Sequence, residues 1–423
     1  MLAVSGMRRE VLELIQETPA IDVHSHQGTN GVWQARNLWE LFSYHWLAAD
    51  IRCAGCPAEV FTDKNLDARE RMQRAAPYSG LARNTVNHWC FMNIARDLYG
   101  FQDEALDEGN WQWLWDAVQE KAQDPSWEPH VMDRAGVELA SAAHDQPPRH
   151  PDRYFAYEYG EYLFCPGLKG DPKQCLADIG TGIDSAYSLA QAVARKIRGL
   201  VRNEGIRALH VWAPVEWLYA PVAEKQANAL LNRAMASAHL DLHERHQLGS
   251  FVADITAKVC GEHDVVVQLF LGAAQMQEGG PWVSLYRPEW LRAMVSLFAK
   301  YPRTRFDVFL ATQPISHEAT VVARNYPNVS VSGAWWQGFT PSTISTFFRD
   351  RLEMLPMNKW NAFYSDAYCV EWIYGKCSLT RNRLAVALSE MVDEGLIGRD
   401  MVGQMARSVL CDNARSMYLL EGD

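Results

Sequence analysis

Eight short apolar stretches recur along this chain, most of them separated by segments of helical periodicity. That alternation restricts the fold more than any other feature. The stretches are 20–26, Val137–His144, Tyr162–Leu168, Ile206–Trp212, Val265–Leu271, Arg305–Ala311, Val329–Trp336 and Trp360–Asp366. Helical patterns at Ser188–Arg202, Ala227–Glu244, Pro288–Tyr301 and Thr380–Glu394 lie between or after them. Strands alternating with helices imply an α/β protein. Eight of them predict a (β/α)8 TIM barrel, whose active site sits at the carboxyl ends of the strands. A short apolar run reads equally well as a strand or a buried helix segment, so each boundary is softer than the count.

The spacing breaks once. Roughly a hundred residues separate His26 from Val137, far more than a strand–helix unit requires. This stretch is helical in pattern and holds Trp33, Trp39, Trp46, Trp89, Trp111, Trp113, Trp115 and Trp127. We read 1–26 as an N-terminal helix and first strand, 27–136 as a helical insert over the barrel mouth, and 137–423 as the remainder of the barrel. The Trp111, Trp113 and Trp115 cluster is expected to be core packing rather than a stacking site.

The charge balance narrows the function. With 51 acidic against 40 basic residues, the chain is not expected to bind nucleic acid or a membrane surface; a small-molecule substrate is. No apolar stretch is long enough to span a bilayer. The N-terminus reads as an amphipathic helix carrying Arg8, Arg9, Glu10 and Glu13 rather than a signal peptide. Nine cysteines without a regular framework suit a reducing cytoplasm, and Cys53-Ala-Gly-Cys56 is a lone C-x-x-C without a second pair. Homo-oligomerisation is compatible with the sequence but not legible in it.

The chemistry concentrates at Ala20-Ile21-Asp22-Val23-His24-Ser25-His26. Side chains two residues apart on a strand share a side, so His24 and His26 project together, as two imidazole ligands of one divalent metal would. The plain alternative is a pair of solvated loop histidines. Gly28 and polar residues follow at once, which ends the strand where the histidines sit. Asp366 closes the eighth stretch and can complete a metal site or accept a proton; its plain alternative is a helix cap. His210, ending the fourth strand, can ligate or act as acid or base near neutral pH, or be a satisfied pocket histidine. His45 and His144 are weaker substrate-contact candidates, and Trp335 and Trp336 are a stacking wall or a barrel plug. Imidazole and carboxylate ligands suit zinc first, with manganese or iron also compatible.

These residues resemble the amidohydrolase superfamily and, within it, the uronate isomerase branch. His24-Ser-His26 is similar to its strand-one metal motif and Ser365-Asp366-Ala367 to its strand-eight aspartate motif. Further similarity lies in Tyr44-His45-Trp46 with Ile51-Arg52-Cys53-Ala54-Gly55, in Gln268-Leu-Phe-Leu-Gly-Ala273, in Gly333-Ala-Trp-Trp336, and in the large insert after strand one. The resemblance implies a (β/α)8 barrel and His24, His26 and Asp366 as metal ligands, with Asp366 near the proton transfer; His210 is an addition to that pattern, and His210 and His45 are further catalytic candidates. The resemblance also implies substrate contacts at Trp46, Arg52, Lys169, Gln275, Trp335, Trp336 and Tyr368.

Several positions depart from the branch. It carries a proton-transferring tyrosine where Trp46 stands, and an indole has no titratable proton near neutral pH. Two arginines of the branch read here as Tyr368 and Gln275, with Lys169 standing in for a third; neither Tyr nor Gln supplies a charged fork for a carboxylate. Phe270 replaces the strand-five histidine, and Ala311-Thr312 occupies the end of strand six, so one metal ion rather than two is expected. The expected function is isomerisation of a sugar acid or related molecule by proton transfer next to a metal-polarised carbonyl. The alternatives are metal-dependent hydrolysis of an amide, lactone or ester, with Asp366 as base, and a catalytically dead binding barrel.

Overall fold

Among the described residues ten strands form: β1 (Ala20–Gln27), β2 (Val137–Ala143), β3 (Tyr154–Tyr159), β4 (Ala208–Trp212), β5 (Val266–Leu271), β6 (Ala273–Gln275), β7 (Trp282–Ser284), β8 (Phe306–Leu310), β9 (Val329–Ser332) and β10 (Trp360–Asn361). Eight of them make one sheet in the order β1-β2-β3-β4-β5-β8-β9-β10, while β6 and β7 form a separate antiparallel hairpin. α-Helices separate the successive strands of this sheet except β2 and β3, which are joined through the 3-10 turn Pro151–Arg153, and this is the (β/α)8 order. The computed structural model describes residues 6–164, 171–237, 239–276, 282–285, 287–335 and 338–420, and not the side chain of His45.

By internal packing the chain divides into two units. One comprises Met1–Tyr154, Phe339–Ser345 and Phe363–Arg407, the other Phe155–Gly338, Thr346–Ala362 and Ser408–Asp423. In the second unit β4, β5, β8 and β9 pair in parallel, with Leu269 opposite both Val211 and Val308. Every residue of β5 and β8 is buried. A barrel strand is covered by helices on its outer face and by the barrel interior on its inner one, so both faces are buried and the strands are mostly apolar, with Gln268 and Asp307 as buried polar exceptions.

In the first unit β1 pairs with β2, with the register irregular between Asp22 and Gln27. Residues 27–136 form helices, among them Leu38–Phe42, His45–Cys53, Ala68–Ser79, Val86–Tyr99, Trp111–Ala122 and Trp127–Ala135. Trp111 and Trp115, one turn apart, are buried edge to face with Arg69 over both rings, and Trp113 is exposed; this is helix-face packing. Two buried charges on helix Val370–Asp393 tie the unit together. Glu371 accepts from the Ala35 N–H, the Tyr99 hydroxyl and the Trp127 indole. Arg381 donates to the carbonyls of Ile15, Thr18, Ala135 and Gly136, beside the starts of β1 and β2.

Four boundaries differ from the sequence expectation. The third strand is Tyr154–Tyr159, not Tyr162–Leu168, and Glu161–Phe164 is a helical turn. Gly160 makes the break: its N–H bonds to the His210 carbonyl at 2.7 Å, and a Cβ there would lie 3.1 Å from Leu209 Cβ. The stretch Ala227–Glu244 is two helices, Glu224–Met235 and Leu242–Glu262, the second opened by a capping box of Asp241 and Glu244. The last long helix begins ten residues before Thr380, at Val370; its first turns are buried all round and lack an amphipathic period. The eighth strand spans only Trp360–Asn361, so Asp366 lies in a turn beyond it rather than at its end.

Candidate metal centre

β1 delivers the two histidines. Ser25, between them, faces the other way: its N–H donates to Ser141 Oγ at 2.8 Å and its hydroxyl to the Ser141 carbonyl at 2.5 Å. That clamp to β2 fixes the strand and leaves His24 and His26 on the opposite side. Their rings meet edge to face, centroids 4.9 Å apart.

The turn 365–367 brings the carboxylate. The N–H groups of Ser365 and Asp366 donate to the His24 carbonyl, and the His26 N–H donates to the Ala367 carbonyl at 2.8 Å. Asp22, two residues before His24, accepts from the Ser365 N–H and hydroxyl. The Tyr44 hydroxyl donates to the Asp366 carbonyl at 3.1 Å. Asp366 has a φ of 56°, the left-handed region that Asp tolerates better than most residues. A non-glycine residue held there by this many bonds marks an over-determined turn.

The result is convergence. Asp366 Oδ1 lies 3.6 Å from His24 Nε2 and 3.3 Å from His26 Nε2, and one ligand atom from each residue falls within 4.8 Å of the others. Among the described residues this is the only group of three or more His, Cys, Asp or Glu side chains so arranged. Two imidazoles and a carboxylate are a donor set for zinc or another borderline divalent ion, and they fit it here. His24 is fully buried while the His26 side chain stays 17% exposed, so the cluster has a protected and an accessible side.

The electrostatics match. Burial pushes the Asp366 carboxyl up, but hydrogen bonds from His24 and His26 and the charges of His26 and Lys376 hold it well below the usual carboxylate range. Burial pushes Asp22 up to about 7, against its bonds from Ser365. Lys376 is buried with its ammonium 4.8 Å from the Tyr44 ring and 5.0 Å from that of Phe339; burial lowers it to about 8, against the charges of Asp366, Cys90 and Asp22. Asp22, Tyr44 and Lys376 were not singled out from sequence as parts of the site. The i−2 parity of Asp22 with His24 is a signal that points to it; a lysine inside a helix gives none.

The other expected residues fall in different surroundings. Tyr368 stacks on His26 with centroids 4.8 Å apart, so a phenol ring covers the imidazole. Trp46 is half-buried in the first turn of helix His45–Cys53, and Arg52, exposed near its end, lies over Phe61. His144 is half-buried just past β2. In the second unit, His210 packs 4.3 Å from Phe270 and 5.4 Å from Tyr159, with Nε2 3.8 Å from Glu161 Oε1. Glu161 Oε1 also accepts the Trp212 N–H. Phe270 stacks on Phe309 at 4.2 Å and meets Trp335 edge to face at 5.0 Å. Gln275 is exposed on the β6–β7 hairpin opposite Trp282. Lys169 and Trp336 lie outside the described residues, as does the side chain of His45.

No protein-family model and no curated protein matches the chain. Solved structures do. A uronate isomerase from Thermotoga maritima is similar at a TM-score of 0.84 and 15% identity, over 99% of this chain and 100% of that one. A glucuronate isomerase from Caulobacter crescentus matches at 0.83 and 16%, over 99% and 94%. A protein of Lactobacillus casei ATCC 334, provisionally assigned as a metal-dependent hydrolase, matches at 0.61 and 14%, over 97% of each chain. At these identities the likeness speaks to fold. It bears out the resemblance read from His24-Ser-His26 and Ser365-Asp366-Ala367: the chain has the (β/α)8 fold of the uronate isomerases.

Proposed function

We propose that the protein is a metal-dependent enzyme of amidohydrolase type, similar to uronate isomerases, acting on a sugar acid or related polar small molecule. The observation that carries this reading is the convergence of His24, His26 and Asp366 within 4.8 Å in a chain of this fold. These three residues would hold one divalent ion, zinc first, with manganese or iron compatible. The ion, when bound, would polarise the carbonyl of an open-chain substrate. Asp366, kept ionised by the two imidazoles, is the base that moves a proton between adjacent carbons, and His210 and His45 are further acid–base candidates. Tyr368 over His26 and Trp46 offer aromatic surface to the substrate, and Arg52, Lys169, Gln275, Trp335 and Trp336 are further substrate-contact candidates. The reaction belongs in a reducing cytoplasm and calls for no nucleic-acid or membrane partner.

A second reading is hydrolysis of an amide, lactone or ester, with Asp366 accepting the proton of the attacking water. Tyr368, where the resemblance implies an arginine gripping a carboxylate, weakens the first reading without itself supporting this one.

The deciding experiment incubates zinc-loaded protein with glucuronate and galacturonate and follows ketose formation, alongside a panel of lactones and amides. Two missing charge-assisted bonds, at about 1.5–3 kcal/mol each, predict poor turnover of these hexuronates and better turnover of a less anionic or bulkier acid. A kcat/KM of roughly 10⁴ M⁻¹s⁻¹ or more on either hexuronate overturns that substrate preference. Protein that carries no metal after loading overturns the proposed function itself.

A further inference from the structure

A polar groove opens among helices Gly6–Glu17, Val86–Tyr99, Trp127–Ala135 and Val370–Asp393, all within the first unit. It encloses about 460 Å³. Residues four apart on a helix share a face. The buried face of Val86–Tyr99 carries Cys90 and Ile94, and a more exposed polar row runs beside it. Trp89, Asn93 and Asp97 follow at that spacing on one helix, facing Tyr374 and Ser378 on another, with Arg134 at the rim. The two long helices do close where Gly375 lies against Ile94 and Cys90: a Cβ there would meet Ile94 Cδ1 at 2.9 Å. Beside that contact they leave the groove.

The lining is ordered and is not part of the metal centre. The Tyr374 hydroxyl donates to Asp97 Oδ2 at 2.7 Å, and Ser378 bonds to Tyr374 in turn. Arg381 on the groove floor is committed to the carbonyls of Thr18, Ala135 and Gly136, at the amino ends of β1 and β2. His24 and His26 sit at the carboxyl end of β1. The two sites therefore belong to opposite ends of the same strand.

We propose that this groove is a second binding site, for a neutral pyranose. Its volume lies in the range of small-molecule sites. Trp89 is 40% exposed, a large apolar ring face left to solvent at the mouth of a polar cleft. An indole face suits the C–H face of a sugar ring, while an amide, two hydroxyls and a carboxylate supply the paired donors and acceptors that vicinal hydroxyls need. Arg381 being engaged, Asp97 and Arg134 balance one another and favour an uncharged ligand. The site is independent of the proposed reaction.

The test is saturation-transfer NMR on the full-length protein with methyl glucoside, galactoside and mannoside pyranosides, in wild type, Trp89→Ala, Asn93→Leu and His24→Ala. The expected result is saturable binding of at least one glycoside, weakened about tenfold or more by Trp89→Ala and unchanged by His24→Ala or by chelation. Near-UV circular dichroism checks folding. Should Trp89→Ala be misfolded, Asn93→Leu, which fills the groove while retaining the indole, carries the test alone. Absence of binding by all three glycosides overturns the proposal. So does binding that survives the groove substitutions, or that disappears with His24.

Discussion

The carboxyl end of β1 and that of β5 are built from opposite materials. After β1, two histidines and the Asp366 carboxylate converge, and their backbones are stitched together by Asp22, Ser25, Ser365 and Tyr44. On β5, Phe270 is fully buried, stacked on Phe309 and packed against the His210 ring. Polar ligand atoms can be held at the first end because the surrounding hydrogen bonds satisfy the backbone that carries them. The second end is held by aromatic packing, which needs no such bonds. That difference predicts one bound metal ion rather than two.

The most severe way to break the comparison is at the ligands. His24→Ala or Asp366→Asn is expected to abolish turnover and lower zinc affinity by more than ~10²-fold, beyond what losing an outer hydrogen-bond partner does. Circular dichroism should stay that of the wild type, and elemental analysis of wild type should give one ion per chain. Two tightly held ions would show that the second end has ligands the aromatic stack hides.

Next is Phe270→His, which puts a histidine into the apolar end. It is expected to destabilise the fold by about 2–4 kcal/mol in denaturant unfolding, because a polar ring replaces a stacked one in a closed core. Metal content should not rise above one.

Burial pushes Asp307, in the polar interior of the second unit, up to about 6, against bonds from Tyr418 and Ser332. A carboxyl whose folded value is raised binds its proton more tightly folded than unfolded. Stability from this group is therefore full below the unfolded value of 3.8 and is lost as pH rises through 6. Relative to wild type, Asp307→Asn should gain about 2–3 kcal/mol between pH 4 and pH 7, read as the difference between the two unfolding curves. A constant offset at both pH values would contradict this.

Tyr368→Arg restores a charged fork beside His26 and should raise kcat/KM on hexuronates by about ten- to a hundredfold, the value of one charge-assisted bond. No gain would mean that the carboxylate is gripped elsewhere. The smallest expected effect is that of Tyr44→Phe. Loss of its bond to the Asp366 carbonyl should weaken zinc binding by about tenfold.

Much of the fold was legible in the chain. Seven of the eight expected strands overlap the apolar runs that predict them, since a strand buried on both faces is mostly apolar, with polar exceptions such as Gln268 and Asp307. His24 and His26 were legible because a strand's period of two makes a shared direction local. Asp366 was found by its motif, but the reason it reaches the histidines was not: its turn lies beyond the end of β10, and bonds to the far-off β1 hold it. The third strand was misplaced because the run 162–168 is as apolar as a strand, and Gly160 matters only through its approach to Leu209 and His210.

The sequence by itself determined the alternation of strands and helices and the pair of histidines on one side of β1. These are properties of residue type and near spacing. Only the tertiary structure decided that Glu371, Lys376 and Arg381 are buried on one helix and that a row of polar residues faces across a groove. A charge reads as solvent-facing from sequence, because burying one without partners is prohibitive. Partners such as Ala35, Tyr99 and Trp127 for Glu371 lie hundreds of residues away and become neighbours only in the fold.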